Sequence, residues 1–102
     1  MKTFLKGALT SEITPGKMKE VQISGKKIAI ANVDGEFLAF SGECTHAQCG
    51  LAGGYLDGQT LTCYCHGAQF DIRNGDVLAK PATLPLVVYE VKIEGDEIFI
   101  AV

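Results

Sequence analysis

The chain has 102 residues, of which 47% are hydrophobic and 21% charged, a composition typical of one globular domain. Twelve acidic and nine basic residues leave a net charge of -3, and the bases are scattered along the chain. Phosphate groups are bound through clustered Lys and Arg side chains, so we expect neither a nucleic acid nor an anionic membrane as partner.

The N-terminal stretch MKTFLKGALTSEITPGK lacks the uninterrupted apolar run of a secretory signal peptide, because Glu12 and Pro15 break it. No other stretch approaches the run of about eighteen apolar residues that a membrane span needs. We therefore predict a soluble, cytoplasmic protein without a membrane span.

Alternating apolar and polar residues, separated by turns that contain glycine, predict β-strands along most of the chain. The predicted elements of the first half are a strand at 21–23, a Ser24-Gly25 turn, a strand from Ile28, an Asp34-Gly35 hairpin turn and a strand at 37–40. Those of the second half are strands at 60–63, 69–72 and 77–79 with an Asn74-Gly75 turn, then strands at 86–93 and 98–102 around a Glu94-Gly95-Asp96 turn.

The stretch 42–58 differs from the rest, because it holds five glycines and shows no strand pattern. It is predicted to be a long loop, and a loop of this length in a small domain is usually functional. No window shows a helical period. We predict a single all-β domain over 1–102, a small antiparallel sandwich or barrel.

All four cysteines and both histidines fall between positions 44 and 66, in two groups, CTHAQC and CYCH. The Cys44-x-His46 spacing is too tight for a zinc finger, and a catalytic Cys–His pair needs only one thiol. A thioredoxin-like C-x-x-C before a helix is absent. A two-iron cluster with two thiolates and two imidazoles fits better, since Cys44, His46, Cys63 and His66 supply that set.

The charge balance of such a site is favourable. Two ferric ions, two sulfides and two thiolates sum to zero, so one added electron gives a single negative charge. Four thiolates would add two further negative charges. Replacing two thiolates by imidazoles therefore raises the reduction potential.

The CTH box, together with CYCHGAQFD, resembles the C-x-H and C-x-x-H boxes of Rieske-type [2Fe–2S] proteins. The downstream stretch FDIRNGDVLAKPA is similar to the segment that follows the second box in that family, so the resemblance covers about 42–86. It implies a two-loop cluster-binding subdomain over about 42–82. It further implies one cluster per chain, with Cys44 and Cys63 on one iron and His46 and His66 on the other.

The two remaining cysteines, Cys49 and Cys65, match the pair that forms a disulfide between the cluster loops in Rieske proteins of the cytochrome bc type. The resemblance therefore implies a Cys49–Cys65 disulfide. High-potential members carry a Ser and a Tyr where this chain has Ala68 and Phe70. Without these two hydroxyl donors, we expect a reduction potential of roughly -150 to +150 mV.

The resemblance implies an electron-transfer protein. We do not expect an enzyme, since the sequence has no dinucleotide fingerprint and both histidines are already assigned to the cluster. A monomeric Rieske ferredoxin would pass single electrons from a flavoprotein reductase to a terminal oxygenase. The alternatives are a small Rieske subunit of a larger enzyme, such as nitrite reductase or arsenite oxidase, and a redox-inert zinc or disulfide domain. The expected docking rim is apolar and comprises Ala47, Leu51, Ala68 and Pro81.

Overall fold

The computed structural model describes residues 3–42, 50, 53–63, 68–79 and 86–102. These residues form strands joined by tight turns, with one short 3-10 helix at Thr10–Glu12. The strands are β1 Phe4–Leu9, β2 Met18–Ile23, β3 Lys26–Val33, β4 Glu36–Ser41, β5 Tyr55–Asp57, β6 Thr60–Thr62, β7 Gln69–Asp71, β8 Val77–Ala79, β9 Val88–Tyr89, β10 Val91–Glu94 and β11 Glu97–Ala101. No helix in the described ranges is a candidate membrane span.

The strands form three antiparallel sheets. Sheet 1 has the order β1-β11-β10, sheet 2 the order β2-β3-β4-β9, and sheet 3 the order β5-β6-β7-β8. The predicted all-β class with antiparallel strands is confirmed.

The hairpins of sheet 2 turn where the sequence places its small residues. Ser24 and Gly25 have φ angles of 52° and 77°, and Asp34 and Gly35 have 52° and 91°. Two consecutive residues with positive φ make the mirror-image turn whose twist suits a two-residue hairpin. These turns fix the β2–β3–β4 register, and both were predicted.

Strand β3 separates two hydrophobic cores, because successive side chains of a strand point to opposite faces. Ile28 and Ile30 belong to the first core, which lies between sheets 1 and 2. Ala29 and Ala31 belong to the second core, between sheets 2 and 3. All four side chains are fully buried, so sheet 2 is the middle layer.

The second core also holds the inner face of sheet 3. Leu61 pairs with Phe70 across β6 and β7, and both side chains are fully buried. The small side chains of Ala29 and Ala31 leave room for the rings of Phe40 and Phe70 in this core. Sheet 3 is therefore held on sheet 2 by aromatic and aliphatic packing.

The prediction of a single strand at 86–93 is wrong. The structure divides it into β9, which pairs with β4 in sheet 2, and β10, which pairs with β11 in sheet 1. The break falls at Glu90, whose carbonyl accepts the Ala101 N–H at 3.0 Å. The chain thus passes here from one sheet to another, which its continuous apolar pattern does not reveal.

Two strands were missed. Strand β1 contains Gly7, where the pairing with β11 shifts register and breaks the alternation. Strand β5 lies inside the predicted 42–58 loop, so the part of that stretch from Tyr55 to Asp57 is a strand. With only three residues, it is too short for a clear period.

Candidate metal centre

Cys63 is the candidate ligand that the described residues contain. It directly follows β6, its side chain is 1% exposed, and its thiol is free. Its N–H donates a 2.7 Å hydrogen bond to the carbonyl of Ala68, the residue just before β7. Cys63 and Ala68 are therefore held together at one end of the β6–β7 hairpin.

The entry to the first box is fixed by a close backbone contact. The Gly42 N–H donates to the Lys27 carbonyl at 2.9 Å. A Cβ on Gly42 would lie only 3.1 Å from the Lys27 carbonyl carbon, so a larger residue would push β4 away from β3. Glycine here lets the chain leave β4 directly beside the start of β3.

The exit from the first box lies beside β2. A Cβ on Gly50 would be 3.7 Å from the Glu20 carboxylate, and the Gly53 N–H donates to the Gly50 carbonyl at 3.3 Å. Gly42 and Gly50 therefore both lie beside strands of sheet 2. Phe40, two residues before Gly42, shares the second core with Cys63, the candidate ligand.

Most of the predicted site residues lie outside the described ranges. These are the ligands Cys44, His46 and His66, the cysteine pair Cys49 and Cys65, and the rim residues Ala47, Leu51 and Pro81. Ala68 is described and is fully buried, so its assignment to an exposed rim is wrong. Its side chain packs in the second core instead.

The surroundings of Cys63 fit an iron–sulfur ligand. Its side chain lies in an apolar core with Leu61, Ala68 and Phe70. An ionised thiolate buried there without a partner would be costly, whereas coordination within a neutral cluster removes that cost. A soft sulfur ligand shielded from water suits iron–sulfur chemistry.

The two positions that lack the hydroxyl groups of high-potential members lie inside the second core. Ala68 and Phe70 are both fully buried beside the β6–β7 hairpin. Neither side chain carries a hydrogen-bond donor, so neither stabilises negative charge on nearby sulfur.

A tightly bonded turn follows β7. The Gly75 N–H donates to the Asp71 carbonyl at 2.7 Å, and the Asp71 N–H donates to the Asp76 carbonyl at 2.9 Å. The Arg73 and Asp76 N–H groups donate to the side chains of Asp71 and Asn74, at 3.0 and 2.9 Å. The predicted Asn74-Gly75 turn is confirmed.

Arg73 in this turn joins sheet 3 to sheet 2. Its two terminal nitrogens donate to both carboxylate oxygens of Glu36, at 2.9 and 2.8 Å, and its Nε donates to Gln59 Oε1 at 2.9 Å. The hydrogen bonds from Arg73 lower the pKa of Glu36, and those same bonds raise the pKa of Arg73. This pair was not predicted, because its partners lie far apart in sequence and share no motif.

The chain matches the Rieske [2Fe-2S] domain over residues 3–90. It is 41% identical over 99 residues to the biphenyl dioxygenase ferredoxin subunit of Pseudomonas sp. (strain KKS102), covering 96% of this chain and 91% of that protein. It is 36% identical over 89 residues to the ferredoxin component of the naphthalene 1,2-dioxygenase system of Pseudomonas aeruginosa, covering 87% and 86%.

Solved structures agree with these relatives. The Sphingomonas yanoikuyae B1 ferredoxin superposes with a TM-score of 0.91 at 32% identity, covering 96% of this chain and 97% of that one. A chain in the complex of reduced oxygenase and oxidized ferredoxin in carbazole 1,9a-dioxygenase gives 0.90 at 33% identity, covering 96% and 92%.

These relatives are ferredoxins of dioxygenase systems, which carry electrons and leave catalysis to another component. The predicted one-electron carrier is therefore confirmed in preference to an enzyme, and its cofactor is a [2Fe–2S] cluster of the Rieske type. With the family matched over most of its length, this chain belongs to the Rieske [2Fe-2S] domain family.

Proposed function

We propose that this chain is a cytoplasmic, monomeric ferredoxin that takes single electrons from a flavoprotein reductase and delivers them to the terminal oxygenase of a ring-hydroxylating dioxygenase. The observation that carries the proposal is the buried thiol of Cys63 at the end of the β6–β7 hairpin. Near full-length similarity to dioxygenase ferredoxins supports the choice of acceptor. The same relatives favour a free carrier over a small subunit of nitrite reductase or arsenite oxidase.

The proposed ligands are Cys44 and Cys63 on one iron and His46 and His66 on the other. When bound, the cluster supplies a site that accepts one electron and returns it. The burial of Cys63 keeps water away from one sulfur ligand. The proposed domain is 1–102, and the separate sheet of β5–β8 supports a cluster-binding subdomain over about 42–82.

The surroundings of the site favour a reduction potential in the lower or middle part of the Rieske range, roughly -150 to +150 mV. The buried side chains of Ala68 and Phe70 provide no hydroxyl donor to sulfur. A donor would stabilise the reduced, more negative form, so its absence lowers the potential. A redox titration giving a midpoint above about +250 mV would contradict this expectation.

The ligand set is tested by iron content and by electron paramagnetic resonance (EPR) of the dithionite-reduced protein. We expect about two irons per chain and a Rieske-type signal in the wild type. Cys63→Ser should lose both, whereas Cys65→Ser, two residues away, should keep iron because Cys65 is not a proposed ligand. Loss of the cluster in Cys65→Ser but not in Cys63→Ser would overturn the assignment.

The proposed Cys49–Cys65 disulfide is tested separately. In a reducing cytoplasm such a bond has to be protected from reductants. We expect that alkylation of the unreduced, iron-free protein under denaturing conditions labels two cysteines, and that prior reduction raises this to four. Four labelled cysteines without reduction would show that the pair is free.

Purification distinguishes the free carrier from the subunit. A ferredoxin elutes alone as a monomer and is reduced by a separate flavoprotein. Stable copurification with a large catalytic chain would favour the alternative. A colourless protein without iron would overturn both and leave the redox-inert domain.

A further inference from the structure

Gly75 occupies a position where no side chain fits. A Cβ atom built on it would lie 2.3 Å from the Leu86 carbonyl oxygen and 3.2 Å from the carbonyl carbon. Real Cβ atoms essentially never approach another heavy atom within 3.0 Å. Its φ of +87° also favours glycine, but Gly35, at +91°, has nothing within 4 Å of the same built atom. Gly75 is therefore needed for close approach as well as for the turn.

A hydrogen bond joins Leu86 to Gly75, and a second joins Gly75 to Asp71. The Leu86 N–H donates to the Gly75 carbonyl at 2.8 Å, while the Gly75 N–H donates to the Asp71 carbonyl at 2.7 Å. Asp71 is the last residue of β7, the strand that begins just after Ala68. The main chain at Leu86 is thus fixed directly to the hairpin that carries Cys63.

The side chain of Leu86 lies in the same core as that cysteine. It is 4% exposed and belongs to the same buried core as Cys63, Ala68 and Phe70. A shift of the Leu86 main chain, forced by a Cβ on Gly75, would move this side chain out of its place in the core. Water would then enter an apolar region that now excludes it.

We propose that Gly75 is a positioning residue for electron transfer, which sets the depth at which Leu86 packs in the core and thereby keeps water from the Cys63 sulfur. The proposal rests on the proposed ligation by Cys63. A ligand set of two thiolates and two imidazoles is neutral when oxidised and carries one negative charge when reduced. Hydration favours the charged form, so displacement of Leu86 raises the reduction potential.

The test compares Gly75→Ala with Gly35→Ala in the cluster-loaded protein. Both place alanine at nearly the same unfavourable φ, and only the first creates the contact with Leu86. We expect both variants to unfold at lower temperature, since alanine is strained at positive φ. Only Gly75→Ala should raise the midpoint potential and change the EPR line shape. A wild-type potential in Gly75→Ala, or an equal shift in Gly35→Ala, would overturn the proposal.

A milder variant keeps the test decisive if Gly75→Ala does not fold or does not retain iron. Leu86→Val preserves the contact between the main chains and removes one methylene from the core. We expect a smaller rise in potential with iron content unchanged, and an unchanged potential would overturn the proposal. A wild type without iron or Rieske signal would instead refute the proposed function, so the two failures are distinguishable.

Discussion

The two halves of the molecule are built differently. Sheets 1 and 2 contain strands of up to eight residues, such as β3, and enclose a first core rich in isoleucine. Every strand of sheet 3 has three residues. Short strands contribute few ladder hydrogen bonds, so sheet 3 depends on what it packs against. Cys63, the candidate ligand within the described residues, lies in the half with the shorter strands.

Three kinds of contact attach sheet 3 to the rest. Aromatic packing joins Phe40 of β4 to the second core, the ion pair joins Arg73 to Glu36, and a hydrogen bond joins Leu86 to Gly75. The first core, between sheets 1 and 2, includes no described residue of sheet 3. Sheet 3 is therefore expected to respond first to substitutions and to iron removal.

The largest expected effect comes from Phe70→Ala, which removes a fully buried ring from the second core. We expect the free energy of unfolding to fall by about 3–5 kcal/mol, and iron to be lost because Cys63 shares this core. Denaturant unfolding and an iron assay measure both. Phe99→Ala, a partly exposed position in sheet 1, is the control and should retain iron. If the Phe70→Ala protein kept its iron and had wild-type stability, sheet 3 would not depend on the second core as we expect.

Removal of iron should speed hydrogen exchange in sheet 3 and leave exchange in sheets 1 and 2 unchanged. We expect amide hydrogen exchange in β5–β8 to become roughly 100-fold faster, or about 2.7 kcal/mol less protected, because metal binding energy supports folding around the ligands. Exchange in β3 should stay near that of the loaded protein. Hydrogen exchange followed by mass spectrometry resolves the two regions. Equal acceleration in both would mean that the sheets unfold as one unit.

Substitution of Asn32 tests the stability of the half formed by sheets 1 and 2. Its side chain is 4% exposed, donates to the Ile13 carbonyl at 2.8 Å, and accepts the Gly35 N–H at 2.7 Å. Asn32→Ala leaves both groups unpaired, so we expect a loss of about 1–3 kcal/mol in unfolding free energy. The reduction potential should not change. The exposed Asn74→Ala should cost less, and a shifted potential in Asn32→Ala would contradict the separation of the two halves.

Glu36→Gln should have the smallest effect, because the ion pair with Arg73 is exposed to solvent. Since the pKa of Glu36 is lowered on folding, its contribution is present above the ordinary glutamate pKa of about 4.3 and is lost as pH falls through the lower folded value. We expect wild type to be slightly more stable than Glu36→Gln at neutral pH, with equal stability in acid. Urea unfolding at several pH values measures the difference.

The control is Glu97→Gln, whose single contact to Lys6 is 3.8 Å long, and it should show no comparable difference. A gap between wild type and Glu36→Gln that persists in strong acid would mean that the pair's charge is not its source.

Local chemistry made part of this structure predictable. The Ser24-Gly25 and Asp34-Gly35 turns follow from two adjacent residues, while the ligand assignment, based on spacings of two and three positions, stays a prediction. The break at Glu90 was hidden because it depends on which distant strand each half pairs with. The Arg73–Glu36 pair was hidden for the same reason.

The requirement for glycine at position 75 could be predicted only in part from the sequence. The sequence indicates a turn at Asn74-Gly75, which the structure confirms. The need for glycine comes also from the Leu86 carbonyl, which arrives from a later part of the chain. Buried Ala68 is similar, since the motif places it two positions after the proposed ligand His66 but does not tell whether it faces solvent or the core.

Because the side chains of β3 alternate between two cores, this one strand offers two separate sets of positions for substitution. Substitutions at Ile28 and Ile30 alter the first core, while those at Ala29 and Ala31 alter the second core, which contains Cys63. The packing of each core can thus be changed through its own pair of neighbouring positions on β3.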